Sequence, residues 1–355
     1  MKNKKEKKKS RYLATVGGQA LMEGIMMNGP KGAAMALRMP DGSIEVTPKT
    51  MKRLKDKNKF WGLPLIRGPV NFVESMIFGY NCLMESAEKT SIDLDSGEEE
   101  MSKLDKWITD HFGKKMMAVL GAVSAVLGFL LSFALFIYLP ALFFDKVLVR
   151  FTGIDVMWRP LVEGIIKVMI FVVYMASISL MKEMRRLFMY HGAEHKSIFC
   201  LEAGEELTVE NVRKQKRFHP RCGTSFIFVM IILSILIASI VSVVFAGTAI
   251  TKVRALWVAV KLLILPIVMS LGYEFIKYAG THDNVCVTIL AAPGLWMQRI
   301  TTREPTDDII EVGIASLKAV IDDDKPSEPS AEETPDEPET SVQETPAEAK
   351  EENEP

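Results

Sequence analysis

The sequence predicts a mainly α-helical membrane protein with about four transmembrane helices, and two observations support this fold class. Residues 116–144 and 224–251 form two stretches without a charged side chain. Each is longer than the roughly 20 residues needed to cross a bilayer core of about 30 Å. Residues 161–181 and 255–273 are two further apolar stretches, and their few charges lie near the ends, where a lysine can reach the headgroups. We therefore predict four spans within these bounds.

The chain divides into four regions around these spans. Residues 1–11 are a basic head, expected to be disordered and to contact anionic lipid headgroups. No aromatic residue interleaves its lysines, so nucleic-acid binding is not expected. Residues 12–115 form an N-terminal α+β region, and residues 116–321 hold the spans with their loops. Residues 322–355 are mostly acid and proline without an aromatic residue, which predicts a disordered tail.

The N-terminal region contains a strand pattern and a helix pattern. The sequence Pro40-Asp41-Gly42 predicts a turn between strands at 34–39 and 43–47, and hence a small β element. Between residues 66 and 87 apolar side chains recur at spacings of three and four. This spacing predicts an amphipathic helix that docks on protein or lies on the membrane surface.

Three further segments lie outside the spans. Residues 182–200 are predicted to be helical and to continue the second span. Residues 285–297 are apolar but too short to cross a bilayer, and Pro293-Gly294 is expected to break them, which predicts an interfacial or re-entrant piece. Residues 307–321 are predicted to form a closing helix.

The distribution of basic residues predicts the orientation. Residues 182–223, between the second and third spans, are rich in Lys and Arg, whereas the other two loops hold few. The positive-inside rule therefore places this loop and both termini in the cytoplasm. All four cysteines lie on that side, so no structural disulfide is expected.

The residues with the clearest chemical meaning are Tyr190-His191-Gly192-Ala193-Glu194-His195-Lys196. On a helix, His191 and His195 lie one turn apart on one face, with Glu194 beside them. This is the residue order of an inverted zinc-protease motif, in which two imidazoles bind a metal and the carboxylate takes a proton from water. The alternative is a chance grouping of polar residues, and Gly192 would weaken the helix by about 1 kcal/mol.

Two metal geometries are compatible with the sequence. An open site would use His191, His195 and Glu274 as ligands, with Glu194 as general base and water in the fourth position. Glu274 is the first choice for the third ligand because a carboxylate at a similar distance downstream completes the motif in soluble proteases that carry it.

A closed site is the second geometry. It would use His191 and His195 together with His219 and Cys222, two pairs whose spacings resemble those of a structural zinc clip. Such a site leaves no position for a reacting water. Imidazole, carboxylate and thiolate suit a divalent metal, and zinc best among the common ones.

At these residues the chain resembles the YqhQ-like family of bacterial membrane proteins, a domain-of-unknown-function family often labelled as a predicted metal-dependent enzyme. The matching stretches are the glycine-flanked segment 17–30 with Glu23, Arg67-Gly68, residues 190–196, His219-Pro220-Arg221-Cys222-Gly223-Thr224-Ser225-Phe226 and Thr302-Arg303-Glu304-Pro305. The resemblance implies a multi-span inner-membrane location and a metal. It implies no particular substrate.

These features lead to two hypotheses of function. The first is a metal-dependent hydrolase that acts near the bilayer on a peptide or lipid-like substrate, with His191 and His195 as ligands and Glu194 as base. The second is a non-catalytic membrane scaffold or assembly factor with a structural metal or none. A transporter is less favoured, because no acid lies near the middle of a span.

Overall fold

The structure, a computed structural model, describes most of the chain between residues 16 and 321. Gaps occur at 52, 55–57, 64, 91–118, 120–122, 125 and 283. The basic head and the acidic tail lie outside the described residues, and so do the predictions made for them.

The N-terminal region begins with a four-stranded antiparallel sheet whose strands follow one another in chain order. The strands are β1 (Gly17–Leu21), β2 (Gly24–Gly29), β3 (Gly32–Arg38) and β4 (Ile44–Lys49). The predicted turn lies between β3 and β4, which confirms the small β element. The first two strands lie in the same glycine-rich β region, for which the sequence predicted no separate strand bounds.

The predicted amphipathic helix is present as α1 (Arg67–Thr90). Its buried positions are small residues, which let the helix approach its neighbours closely. Gly68 packs against the backbone of Ser270, and Gly79 packs against the side chain of Gln19 in β1. Four members of the predicted apolar stripe remain exposed, Val73, Ile77, Tyr80 and Met84, whereas the others are half-buried. The helix therefore docks on protein through its small residues, with Phe78 and Leu83 beside them, and leaves much of the stripe uncovered.

Eight helices follow α1 in the described part of the chain, besides short helical turns. They are α2 (Val126–Thr152), α3 (Arg159–Ile178), α4 (Lys182–Glu202), α5 (Val209–Lys214), α6 (Gly223–Val244), α7 (Arg254–Thr281), α8 (Val285–Thr301) and α9 (Asp307–Lys318). Four of them, α2, α3, α6 and α7, contain segments long and apolar enough to cross a membrane. This agrees with the predicted number of candidate spans.

Three boundaries differ from the prediction. Residues 182–200 do not continue the second span, because α3 ends at Ile178 and the backbone is extended at Met181 before α4 begins at Lys182.

Helix α2 continues beyond residue 144 to Thr152, and its first charged residue, Asp145, forms an ion pair with Arg159 of α3. The break expected at Pro293-Gly294 is wrong, since Pro293 lies inside the continuous helix α8. A proline removes only one hydrogen bond of a helix, and the packing of α8 along α6 holds the two halves together.

The sheet, α4 and α9 enclose one apolar core. Ile25 and Met27 of the sheet pack there with Tyr190 and Ala193 of α4 and with Ile309 of α9. The packing places one side of α4 against the sheet. Of the two histidines on α4, His195 is buried and His191 is partly buried.

Candidate metal centre

Helix α4 brings His191 and His195 together on one face. Their ring centroids are 4.4 Å apart, as expected for side chains one turn apart. Gly192 lies between them, and a methyl group at this position would overlap the carbonyl oxygen of Arg303. The glycine that weakens the helix therefore allows the segment after α8 to lie directly on α4, where Arg303 N–H donates to the Phe188 carbonyl at 2.8 Å.

Each imidazole is fixed by a backbone carbonyl. Nδ1 of His191 lies 2.8 Å from the Thr301 carbonyl oxygen, and Nδ1 of His195 lies 2.5 Å from that of Arg217. A carbonyl oxygen only accepts, so both Nδ1 atoms donate, and Nε2 is the nitrogen that each ring can offer to a metal. Metal-binding histidines commonly hold their second nitrogen in this way.

No described group lies in hydrogen-bonding geometry with the buried Nε2 atom of His195, although the Cys222 sulfur interacts with this imidazole electrostatically. The His195 side chain is only 1% exposed, so water does not readily supply a hydrogen bond there. A buried polar atom without a partner costs roughly 1–3 kcal/mol. A bound metal would remove this cost.

Cys222 supplies a third donor. It is the residue before α6, in extended conformation, and its Sγ lies 3.1 Å from Nε2 of His191. One donor atom from each of His191, His195 and Cys222 lies within 4.8 Å of the others, and the three residues could hold a metal ion.

The electrostatics of the cluster favour a thiolate. Burial would raise the pKa of the Cys222 thiol, but the imidazoles of His191 and His195 lower it well below its ordinary value. Burial would also lower the pKa of His191, whereas the neighbouring Cys222 raises it, to about 9. Without metal, His191 therefore donates from Nε2 to a thiolate. A metal would take the place of that proton, and thiolate is the form of cysteine that binds metals.

The position of Cys222 depends on the segment before it. The side chain of Gln298 in α8 accepts from the His219 backbone N–H and donates to the His219 carbonyl, both at 2.7 Å. Gln298 is fully buried. This pair of hydrogen bonds fixes the turn that leads into Cys222, whose N–H in turn donates to the His219 carbonyl.

Glu194, the predicted general base, is next to the cluster and buried. Its carboxylate accepts a hydrogen bond from the Gly18 backbone N–H in β1, and burial raises the pKa of its carboxyl despite the opposing effect of His191 and His195. A carboxyl whose pKa is raised by burial holds a proton more readily than an exposed one, which suits it to proton transfer.

His219 does not join the cluster, although its ring centroid is 5.6 Å from that of His195. Its Nδ1 accepts from the Arg221 backbone N–H, and its Nε2 is 3.6 Å from the Glu202 carboxylate. Burial lowers the pKa of His219 to about 4. The neutral ring therefore packs beside the cluster without contributing a ligand.

Glu274 lies elsewhere. Both of its carboxylate oxygens accept hydrogen bonds from the Arg67 guanidinium at 2.6 Å. The residue thus connects α7 to the start of α1. Glu23 also contacts α4 without entering the cluster, since its carboxylate binds Arg186 and the Tyr190 hydroxyl.

The structure therefore combines the two predicted geometries. It brings together the two histidines and Cys222 of the closed site, with Glu194 of the open site beside them. The sequence already contained the signal, because Cys222 was among the candidates. The sequence could not show that Cys222 joins the cluster whereas His219, three residues earlier, stays outside it.

Fold and site define a largely helical protein with four candidate membrane spans, a small antiparallel sheet and a His-His-Cys cluster. Residues 63–323 match the family described as protein of unknown function (DUF1385). The chain is also 30% identical over 314 residues to the uncharacterized protein YqhQ of Bacillus subtilis (strain 168), an alignment that covers 86% of this chain and 92% of that protein. The chain belongs to this YqhQ-like family. No solved structure matches it.

Proposed function

We propose that the protein is a metal-dependent hydrolase of the bacterial inner membrane, with its site at the cytoplasmic face. His191, His195 and Cys222 are its metal ligands, and Glu194 is its general base. The observation that supports this most directly is the buried Nε2 of His195, which has no described group in hydrogen-bonding geometry and lies beside two other donors.

Three protein ligands are typical of catalytic zinc sites, which keep a further position open. A divalent metal with such a position generates a nucleophile from water and polarises a carbonyl or phosphoryl oxygen. Two imidazoles and a thiolate suit zinc, and zinc is the metal that we propose.

Glu194 is placed to hold and move a proton. The Gly18 N–H fixes its carboxylate, and its pKa is raised by burial. Glu194 lies on the same helix as both ligands, three residues after His191 and directly before His195. A peptide or lipid-like substrate fits the location, since Cys222 immediately precedes the helix that contains a candidate span.

The experiment begins with elemental analysis of the purified full-length protein. We expect about one zinc per chain, and a large loss of metal in His191→Ala, His195→Ala and Cys222→Ala. His282→Ala and Cys82→Ala are matched controls, because His282 and Cys82 lie outside the cluster. Metal retained in all three cluster variants would contradict the proposed site.

Cobalt substitution tests whether a coordination position is open. A thiolate-to-cobalt charge-transfer band should appear in the wild type and be absent in Cys222→Ala. Acetohydroxamate should change the visible spectrum if a position is open. Glu194→Gln should retain the metal and lose hydrolysis of any fluorogenic ester or peptide that the wild type cleaves.

The alternative is a membrane scaffold or assembly factor with a structural metal. The burial of the cluster favours it, since Glu194 is only 6% exposed. In that case the cobalt spectrum would not respond to acetohydroxamate, and removal of the metal would lower the unfolding temperature without affecting any turnover.

A further inference from the structure

A cavity of about 260 Å³ lies within the helix bundle and is lined by residues of α3, α6 and α7, with Phe72 of α1 also contributing. Its walls are mostly apolar. They contain three charged side chains, Glu163, Lys167 and Lys261. Ionisable residues inside a candidate span are costly and usually mark a functional site.

Two of these charges neutralise each other. The Lys261 ammonium forms an ion pair with the carboxylate of Glu163, which is 1% exposed. Arg159, one turn before Glu163, pairs with Asp145 of α2 and also lies 4.0 Å from the Glu163 carboxylate. Both acids near the cavity are therefore already engaged by basic side chains other than Lys167.

Lys167 is the third charge of the lining. Among the described residues it has no ion pair or hydrogen bond of its own, and it interacts electrostatically with Glu163, whose carboxylate is already paired with Lys261. The three charged residues of the lining therefore sum to one positive charge. Lys167 lies eight residues after the start of α3, roughly 12 Å along the helix axis. At this depth an excess positive charge is unfavourable in hydrocarbon, because one carboxylate cannot neutralise two lysines, and a bound acid would balance it.

We propose that the cavity binds an anionic amphiphile, with its acidic head on Lys167 and its acyl chain along the apolar walls of α6 and α7. The charge of the lining selects an acid, and the apolar surface selects a chain. A volume somewhat below the roughly 300–1,000 Å³ of typical ligand sites accommodates one chain rather than a whole two-chain lipid. This site does not depend on the metal cluster.

Native mass spectrometry of the full chain, released from a neutral detergent, tests the proposal. The probes are dodecanoate, dodecyl phosphate and uncharged dodecanol. The wild type should bind one molecule of an acid and bind dodecanol more weakly. Comparison of the two acids shows whether carboxylate or phosphate is preferred, and inorganic phosphate alone should not displace either.

Two variants separate the head from the chain. Lys167→Gln should weaken binding of both acids by about tenfold or more, as expected for a lost charge-assisted hydrogen bond, and leave dodecanol unaffected. Ala238→Phe should fill the cavity, where Ala238 is part of the wall, and abolish binding of all three probes.

Lys182→Gln is the matched control, because Lys182 is exposed at the start of α4. His191→Ala should leave amphiphile binding unchanged, which separates this site from the metal centre. Equal binding of acids by the wild type and Lys167→Gln would overturn the proposal. So would dodecanol binding as tightly as the acids, displacement by inorganic phosphate, or full binding by Ala238→Phe.

Discussion

The carbonyl oxygen of Arg303 lies where a side chain at Gly192 would have to be. Through this contact the segment after α8 rests on α4, and the Thr301 carbonyl reaches Nδ1 of His191. A single glycine thus determines whether the first histidine of the cluster is held in its binding orientation.

Gly192→Ala should therefore weaken both the fold and the metal site. Overpacking of this kind costs about 1–3 kcal/mol, and displacement of residues 301–303 would release His191. We expect a lower unfolding temperature and reduced metal content. Gly128→Ala in α2 is the control, because a Cβ there meets no atom within 4 Å. A Gly192→Ala protein with wild-type stability and metal content would contradict the role assigned to this contact.

Gln298→Met should lower metal affinity although Gln298 is not a ligand. The substitution keeps the shape of the side chain but removes both hydrogen bonds to the His219 backbone, and each unsatisfied buried group costs roughly 1–3 kcal/mol. Cys222 would then be less well positioned. Competition with a zinc chelator measures the change, and Gln215→Met, at a side chain that bonds Glu205, is the control. Unchanged chelator competition would show that the two hydrogen bonds between Gln298 and the His219 backbone do not position Cys222.

Glu274→Gln should leave the metal content unchanged, because the Glu274 carboxylate binds Arg67 and lies outside the cluster. It should instead weaken the attachment of α1 to α7. Elemental analysis and limited proteolysis of α1 measure the two effects. Loss of metal in this variant would support the open geometry predicted from the sequence.

Topology is tested with reporter fusions at Gly204 and Gly153. Gly204 follows α4, in the loop rich in Lys and Arg, and Gly153 follows α2. The positive-inside rule predicts that they report opposite sides, with Gly204 in the cytoplasm. A periplasmic signal from Gly204 would move the metal centre to the other face and remove the cytoplasmic part of the proposed function.

The sequence predicted the parts of the fold that depend on local pattern. Charge-free stretches identified the candidate spans, and the spacing of apolar residues identified α1. It did not show which face of α1 docks, because small residues such as Gly79 carry no hydrophobic signal. The fold decides this by bringing Gln19 close to Gly79.

The part of the candidate site that depends on local spacing was predictable from the sequence, and the part that depends on long-range packing was not. The histidine pair follows from helical spacing alone, and its 4.4 Å separation agrees with that spacing. The third donor depends on long-range packing. Glu274 agreed with a spacing in sequence, but Arg67 lies beside it in space. The Gln298 hydrogen bonds that position Cys222 connect residues far apart in the chain and leave no local pattern.

The three donors belong to two different parts of the molecule. His191 and His195 are on α4, which packs on the sheet, whereas Cys222 precedes a helix that contains a candidate span. A metal held by all three would cross-link these parts. Any tilt of α6 relative to α4 would then change the distances from sulfur to both imidazoles, so metal affinity would vary with mechanical stress on the helix bundle.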